Sequence, residues 1–237
     1  MSRSDLDRRL GVLLGANAHF RDPVREPRNA LPTLPLLQRW QAARLREGFA
    51  DFLASPTERL AAEFFLSDLY GDFDVSARDQ DVERVLPLMR RVLPGKLLAT
   101  AADAIELSVL SHAFDLRMAA ALANDGQTGA LDVQRYARAY RTAGLPRLRR
   151  HQVELIVNVG YSLDDTVSKP LIGHLLRMSR LPAKAAGLSD LQSFLERGFA
   201  AFRALKGARP FVAEIARREL QVSERLFAGH PEPFRLD

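Results

Sequence analysis

The 237-residue chain contains no cysteine, which excludes a disulfide framework, a thiolate metal site and a thiol nucleophile. Lysine is nearly absent as well. Of 34 basic residues only Lys96, Lys169, Lys184 and Lys206 are lysine, and the other 30 are arginine. Two origins fit that skew: a GC-rich coding bias that writes surface charge as arginine, or a need for the forked guanidinium that grips phosphate and carboxylate. No stretch approaches the roughly 20 uninterrupted apolar residues that would span a bilayer. Missing too are a Gly-x-Ser-x-Gly elbow, a phosphate loop, a dinucleotide fingerprint and the Glu-x-x-His pairs of a di-iron bundle. These absences weaken the case for catalysis and leave binding as the leading class of function.

What is present is enough for a large core, since 47% of residues are apolar. A formal charge of +5 and a pI near 9.9 favour anionic partners without bearing on fold. The cysteine-free composition fits a reducing cytoplasm. At the N-terminus, Ala16-Asn17-Ala18 imitates a leader cleavage site. However, Asp5 and Asp7 spoil the positive leader and Gly11 breaks the apolar run, so the segment reads as an amphipathic arm.

The dominant rhythm is helical. Ser55-Pro56-Thr57-Glu58 has the form of a capping box, which predicts a helix from Pro56 to Tyr70 with Gly71 as its stop. Ser189 to Gln192 repeats the box for a helix toward Leu205, and Pro210 opens a last helix closed by Gly229. Leu37, Trp40, Leu45, Phe49 and Phe52 mark a helix over 36–53. A helix from about Arg78 should bend or break near Pro87 and again at Pro94-Gly95. Lys96 to Asn124 has room for the longest helix, carrying Leu98, Ala102, Ile105, Val109, His112, Leu116 and Ala119 as one stripe.

Strand signals are scarce. The one candidate, Val153 to Val159, follows Pro146 as a helix would. The reading is an all-α, single-domain multi-helix bundle of about eight helices, residues 36–237. Residues 1–35 form an extended arm containing Pro23, Pro27, Pro32 and Pro35.

From Arg135 to Gln152 the chain carries six arginines and no acid. Leu131–Ala143 reads as one helix, Gly144 as its stop and Pro146 as the first turn of the next. That outline is shared with helix-turn-helix DNA readers. Helical spacing puts Arg135, Arg138 and Arg141 on one face and Val133, Tyr136 and Tyr140 on the opposite one. The second helix continues as Val153, Leu155, Ile156, Val157 and Val159, an apolar run that argues against sequence-specific DNA reading. The remaining expectations for the arginines are a solvated face or an anion site. In the second case Arg147, Arg149 and Arg150, with Arg138 and Arg141, would meet an acidic protein or phosphate at a helix N-terminus whose dipole attracts anions.

The stretch from Asp72 to Glu83 spaces Asp72, Asp74, Ser76 and Glu83 like a calcium loop. Ala77 stands where such a loop requires glycine, and Ser76 with Asp79 reads better as a helix cap. His112 and His174 each sit on an apolar stripe, His174 beside Leu171, Leu175 and Met178. The default for both is a core histidine with a satisfied hydrogen bond. The sharper alternative is a globin-like or other helical sensor holding haem or another apolar ligand at His174 or His112, with His151 and Phe64-Phe65 lining the other side.

Two blocks carry a resemblance: Phe64-Phe65-Leu66-Ser67-Asp68-Leu69-Tyr70-Gly71 and Phe194-Leu195-Glu196-Arg197-Gly198-Phe199-Ala200-Ala201-Phe202-Arg203. They resemble an uncharacterised family of bacterial helical proteins over most of the chain after Leu36. The resemblance implies a soluble bacterial protein and no catalytic or binding residue. Physically, Phe64 and Phe65 should be buried and Gly198 should let another helix approach. Asp68 could bond an arginine or anchor a polar ligand. The expected protein is non-catalytic and acts by binding, either as an interaction or regulatory protein through its basic face or as a ligand carrier.

Overall fold

The computed structural model describes residues 2–69, 94–127 and 129–236. The calcium-like stretch, Tyr70 with its Gly71 stop and the helix expected from Arg78 lie outside them, as does the Asp68 side chain. Every regular element among the described residues is helical.

The helices are α1 (Arg3–Arg21), α2 (Thr33–Gly48), α3 (Ala50–Ala54), α4 (Arg59–Phe64), α5 (Gly95–Ala123), α6 (Val133–Ala143), α7 (Pro146–Val167), α8 (Pro170–Met178), α9 (Arg180–Ala185), α10 (Ser189–Ala204) and α11 (Arg209–Ala228). A 3-10 turn at Pro27–Ala30 precedes α2, and α4 runs on into a π turn at Phe65–Leu69.

The 29-residue α5 is the axis. Its expected stripe is the buried one, with Leu98, Ala102, Val109, Leu116 and Ala119 inside. It is also the one described helix long and apolar enough, by length and composition, to cross a bilayer. Helices α1, α2, α6 and α7 pack on it. Leu6 and Leu10 of α1 meet Leu98 and Ala102 at one end. At the other end Leu34 and Leu37 of α2, Tyr136 and Tyr140 of α6 and Val222 and Leu226 of α11 close over Leu116, Met118 and Leu122. Each such side chain contributes about 1.5–3 kcal/mol when fully buried. A third cluster joins Phe49, Phe52, Phe64 and Phe65 to Ala201, Phe202, Phe211 and Ile215.

The N-terminal segment expected as an arm is mostly helix. Ser2 caps α1 with a reciprocal capping box to Asp5, and among described helices α1 packs most extensively on α5. Pro35 sits in the first turn of α2 rather than in extended chain. The box expected at Ser55 does not form. The Ser55 hydroxyl contacts Thr57 Oγ1 at 3.1 Å, residues 56–58 form a turn, and α4 starts only at Arg59 without a side-chain cap. Ser189 likewise enters α10 as its first residue, without a side-chain cap before it. The expected helix over 36–53 is split at Phe49, whose φ of −118° interrupts the turn between α2 and α3.

Glycines set close helix crossings. A Cβ at Gly198 would stand 2.9 Å from Phe64 Cζ, and one at Gly160 of α7 would stand 2.7 Å from Val212 Cγ2 of α11. A β-branched valine has one preferred helical rotamer and cannot swing aside. Gly160→Ala is therefore expected to destabilise the protein by about 1–3 kcal/mol in urea denaturation. Val212→Ala in the same chain should recover part of that loss, because it removes the atoms the new methyl group strikes.

Candidate functional site

The turn between α6 and α7 is built as the sequence suggests. Asp132 caps α6, its carboxylate accepting from Arg135 N at 2.7 Å. Gly144 ends the helix at φ +67°. Leu145 follows at φ +63°, a left-handed conformation uncommon for a bulky residue, and Pro146 starts α7. No side chain caps this end of α7; Pro146 carries no N–H and the Leu148 and Arg149 N–H groups bond Leu145 O, so what this end offers is chiefly the positive pole of the helix dipole.

Beside that end lies an open recess of about 290 Å³ lined by Pro146, Arg147 and Arg150. Both arginines are exposed. Arg150 meets Glu224 only at 3.8 Å, an exposed pair worth little. Leu145 and Leu148 are exposed next to them. Arg138 and Arg141 are exposed on α6, and Arg141 Nη1 donates to Leu226 O at 3.1 Å. The structure therefore brings Arg147 and Arg150 together at one recess, with Arg138 and Arg141 on the neighbouring helix.

Arg149 is not among them. It is 8% exposed and lies between two rings, 3.7 Å from the Phe114 centroid and 4.5 Å from that of Tyr140. Its Nη2 donates to Met118 Sδ at 3.2 Å and its Nη1 to Gln152 Oε1 at 3.4 Å, while Nε is buried without a partner. Nearby, burial pushes the Asp115 carboxyl up, against the attraction of Arg149 and hydrogen bonds from Gln41 and Gln38. Gln152 Nε2 continues this polar seam to Ser111 Oγ at 2.7 Å.

Arg135 also departs from the expected basic face. It is 2% exposed, forks onto Asp125 through Nε at 2.7 Å and Nη2 at 3.1 Å, and donates to the carbonyls of Gly129 and Gln127. It is a structural clasp for the loop after α5. Hydrogen bonding from Arg135 holds the Asp125 carboxyl below the usual carboxylate range.

The histidines occupy three unlike settings. His112 is partly buried, with Nε2 2.9 Å from Asn29 Oδ1 and 3.2 Å from Phe20 O. His174 was expected on a core-facing stripe, yet it is exposed, because α8 presents that stripe to solvent and turns Gly173 against Phe199. His151 pairs through Nε2 with Glu106 Oε1 at 2.7 Å and lies near Glu154. Phe64 and Phe65 belong to the cluster around α3, α10 and α11, not to the Glu106 side of α5. Arg9 of α1 also bonds Glu106 and Asp103. Among the described residues no group of three histidines and acids has the arrangement to hold a metal ion.

The polar seam around Arg149 was missed because Arg147, Arg149 and Arg150 are adjacent in sequence but not on one face. At 100° per residue Arg149 falls with Gln152, Val153 and Ile156, the buried stripe of α7. That stripe was the signal.

A family model described as a domain of unknown function, DUF8198, matches residues 21–233. The chain belongs to the DUF8198 family. The match begins at the last residue of α1, so nearly all of that helix precedes the DUF8198 region, while α2 to α11 fall within it. No curated protein and no solved structure matches the chain.

Two outcomes are expected. Arg149→Ala should destabilise the fold by on the order of 3 kcal/mol in chemical denaturation, because it strips the nearby cation from half-buried Asp115 and leaves Gln152 short of a partner. Arg147→Ala should change stability little. For His151, the hydrogen bond to Glu106 raises the pKa despite partial burial. Burial pulls Glu106 upward, but the bonds from Arg9 and His151 together hold it below its ordinary value. A histidine with a raised folded-state pKa stabilises the fold below the unfolded value near 6.5, and that stability is lost as pH rises through the folded value. An NMR titration should find His151 above about 6.5, and Glu106→Gln should bring it back down.

Proposed function

We propose that the protein acts by binding, and that the open end of α7 is an anion-attracting face for an acidic protein segment or a phosphate-bearing partner. The observation that carries this reading is the recess at Pro146, Arg147 and Arg150. There the uncapped helix end and the side chains of two exposed arginines border the same space, and Arg147 has no ion-pair partner among the described residues. Guanidinium forks suit carboxylate and phosphate oxygens. Leu145 and Leu148, exposed beside them, add apolar area that would favour a partner with side chains over a bare ion. The net charge of +5 speeds the approach of such a partner. Arg149 has no part in this reading, since its side chain is spent inside the fold.

The test is anisotropy of a fluorescein-labelled glutamate-rich peptide, and of its phosphoserine version, titrated with the full chain at low and high salt. Arg147→Ala with Arg150→Ala should weaken binding about tenfold or more, equivalent to about 1.4 kcal/mol, with the helical circular-dichroism signal unchanged. Arg25→Ala with Arg235→Ala removes the same charge elsewhere and should weaken it much less. Equal losses in the two double variants would reduce the effect to net charge and overturn the reading.

A further inference from the structure

The stretch from Thr166 to Ser189 holds no aspartate or glutamate, yet carries Lys169, Arg177, Arg180 and Lys184. It folds as α8 and α9, joined at Ser179. Helix α8 is apolar on two sides. Its inner side sets Gly173 against Phe199 and keeps Ile172 and Leu176 partly buried. Its outer side carries Leu171, Leu175 and Met178, at 63%, 50% and 64% exposure, and Leu181 at the start of α9 is 80% exposed. Residues 171, 175 and 178 share a helical face, so this is one contiguous apolar row rather than scattered surface leucines.

We propose that the outer face of α8 and α9 docks on an anionic lipid surface, lying in the plane of the headgroups. Three features choose this occupant. Charge is the first: Lys169, Arg177 and Lys184 are exposed and have no ion-pair partner among the described residues, while Arg180 pairs with Glu196 at 2.7 Å. Cations around an apolar row are the composition of an interfacial helix, whose long basic stems reach toward phosphates while leucines enter the acyl boundary. Shape is the second. A leucine that is 80% exposed stands out from the surface instead of lining a groove, and projecting side chains suit a fluid interface better than a preformed protein partner, which needs complementary concavity. The third is self-repulsion: a second copy would bring the same uncompensated cations face to face. This surface is separate from the recess on α7, and the inference stands independently of the function proposed for that recess.

The experiment is co-sedimentation of the full chain with 100 nm vesicles of phosphatidylcholine alone, or of phosphatidylcholine with a quarter phosphatidylglycerol. Binding is expected to the anionic vesicles, weakening as salt is raised, and little to the neutral ones. Leu171→Ser, Leu175→Ser and Leu181→Ser together should lower partitioning at least tenfold while the thermal melt is retained, since all three side chains are exposed. Arg147→Ala with Arg150→Ala should lower partitioning far less than the triple serine variant does. No sedimentation with anionic vesicles would overturn the proposal. So would undiminished binding by the triple serine variant, or loss of binding in the α7 variant, which would assign the attraction to the other basic face. A concentration-dependent dimer of the native chain that the serine variant abolishes would make the face a contact between copies instead.

Discussion

A long helix with other helices packed on it meets many of its polar groups on those neighbours, and α5 carries many. Its Asp103 and Glu106 are met by Arg9 of α1, and Glu106 also by His151 of α7. Ser108 is met by Arg21 of α1 and Ser111 by Gln152 of α7. Gln38 of α2 reaches Asp115, Thr33 of α2 reaches the Ala119 carbonyl, and Arg117 of α5 reaches back to the Ala143 carbonyl at the end of α6. Leucine packing alone would let these helices slide by a turn. The polar pairs fix where along α5 each neighbour sits, because a slip would strand groups that cost about 1–3 kcal/mol each to bury unpaired. The position of the α6–α7 turn, and with it the basic recess, follows from that register.

Much of the fold was legible because its ends are punctuated. Gly144, Pro146, Pro210 and Gly229 set the end of α6, the start of α7 and the limits of α11 within a residue or so, and the stripe of α5 named its own buried side. Less legible were places where two competing local arrangements cost nearly the same. Ser55 has the right neighbours for a capping box, and its carbonyl accepts from Glu58 and Arg59 as an N-cap carbonyl would, but its hydroxyl turns to Thr57 Oγ1 instead.

The site was legible in part. Periodicity separates the two sides of a helix without saying which is inside. Arg135 shares a side of α6 with exposed Arg138, yet it is drawn under the preceding loop by Asp125, ten residues away and outside the acid-free run that made the arginines conspicuous. His174 fails for the opposite reason: α8 has apolar residues on both sides, and the side chosen for the core is decided by Gly173 fitting Phe199, a long-range match that no local pattern reveals.

The guanidinium held between Phe114 and Tyr140 gives a second meaning to the scarcity of lysine. A lysine ammonium placed between those rings, away from water, would give up its proton and become a neutral amine. Arginine keeps its charge at any pH the fold survives, and its flat face stacks on both rings at once. Whatever coding bias supplied the arginines, at this position the two cations are not synonyms: one keeps a permanent charge opposite Asp115, and the other would leave that carboxylate facing an uncharged amine.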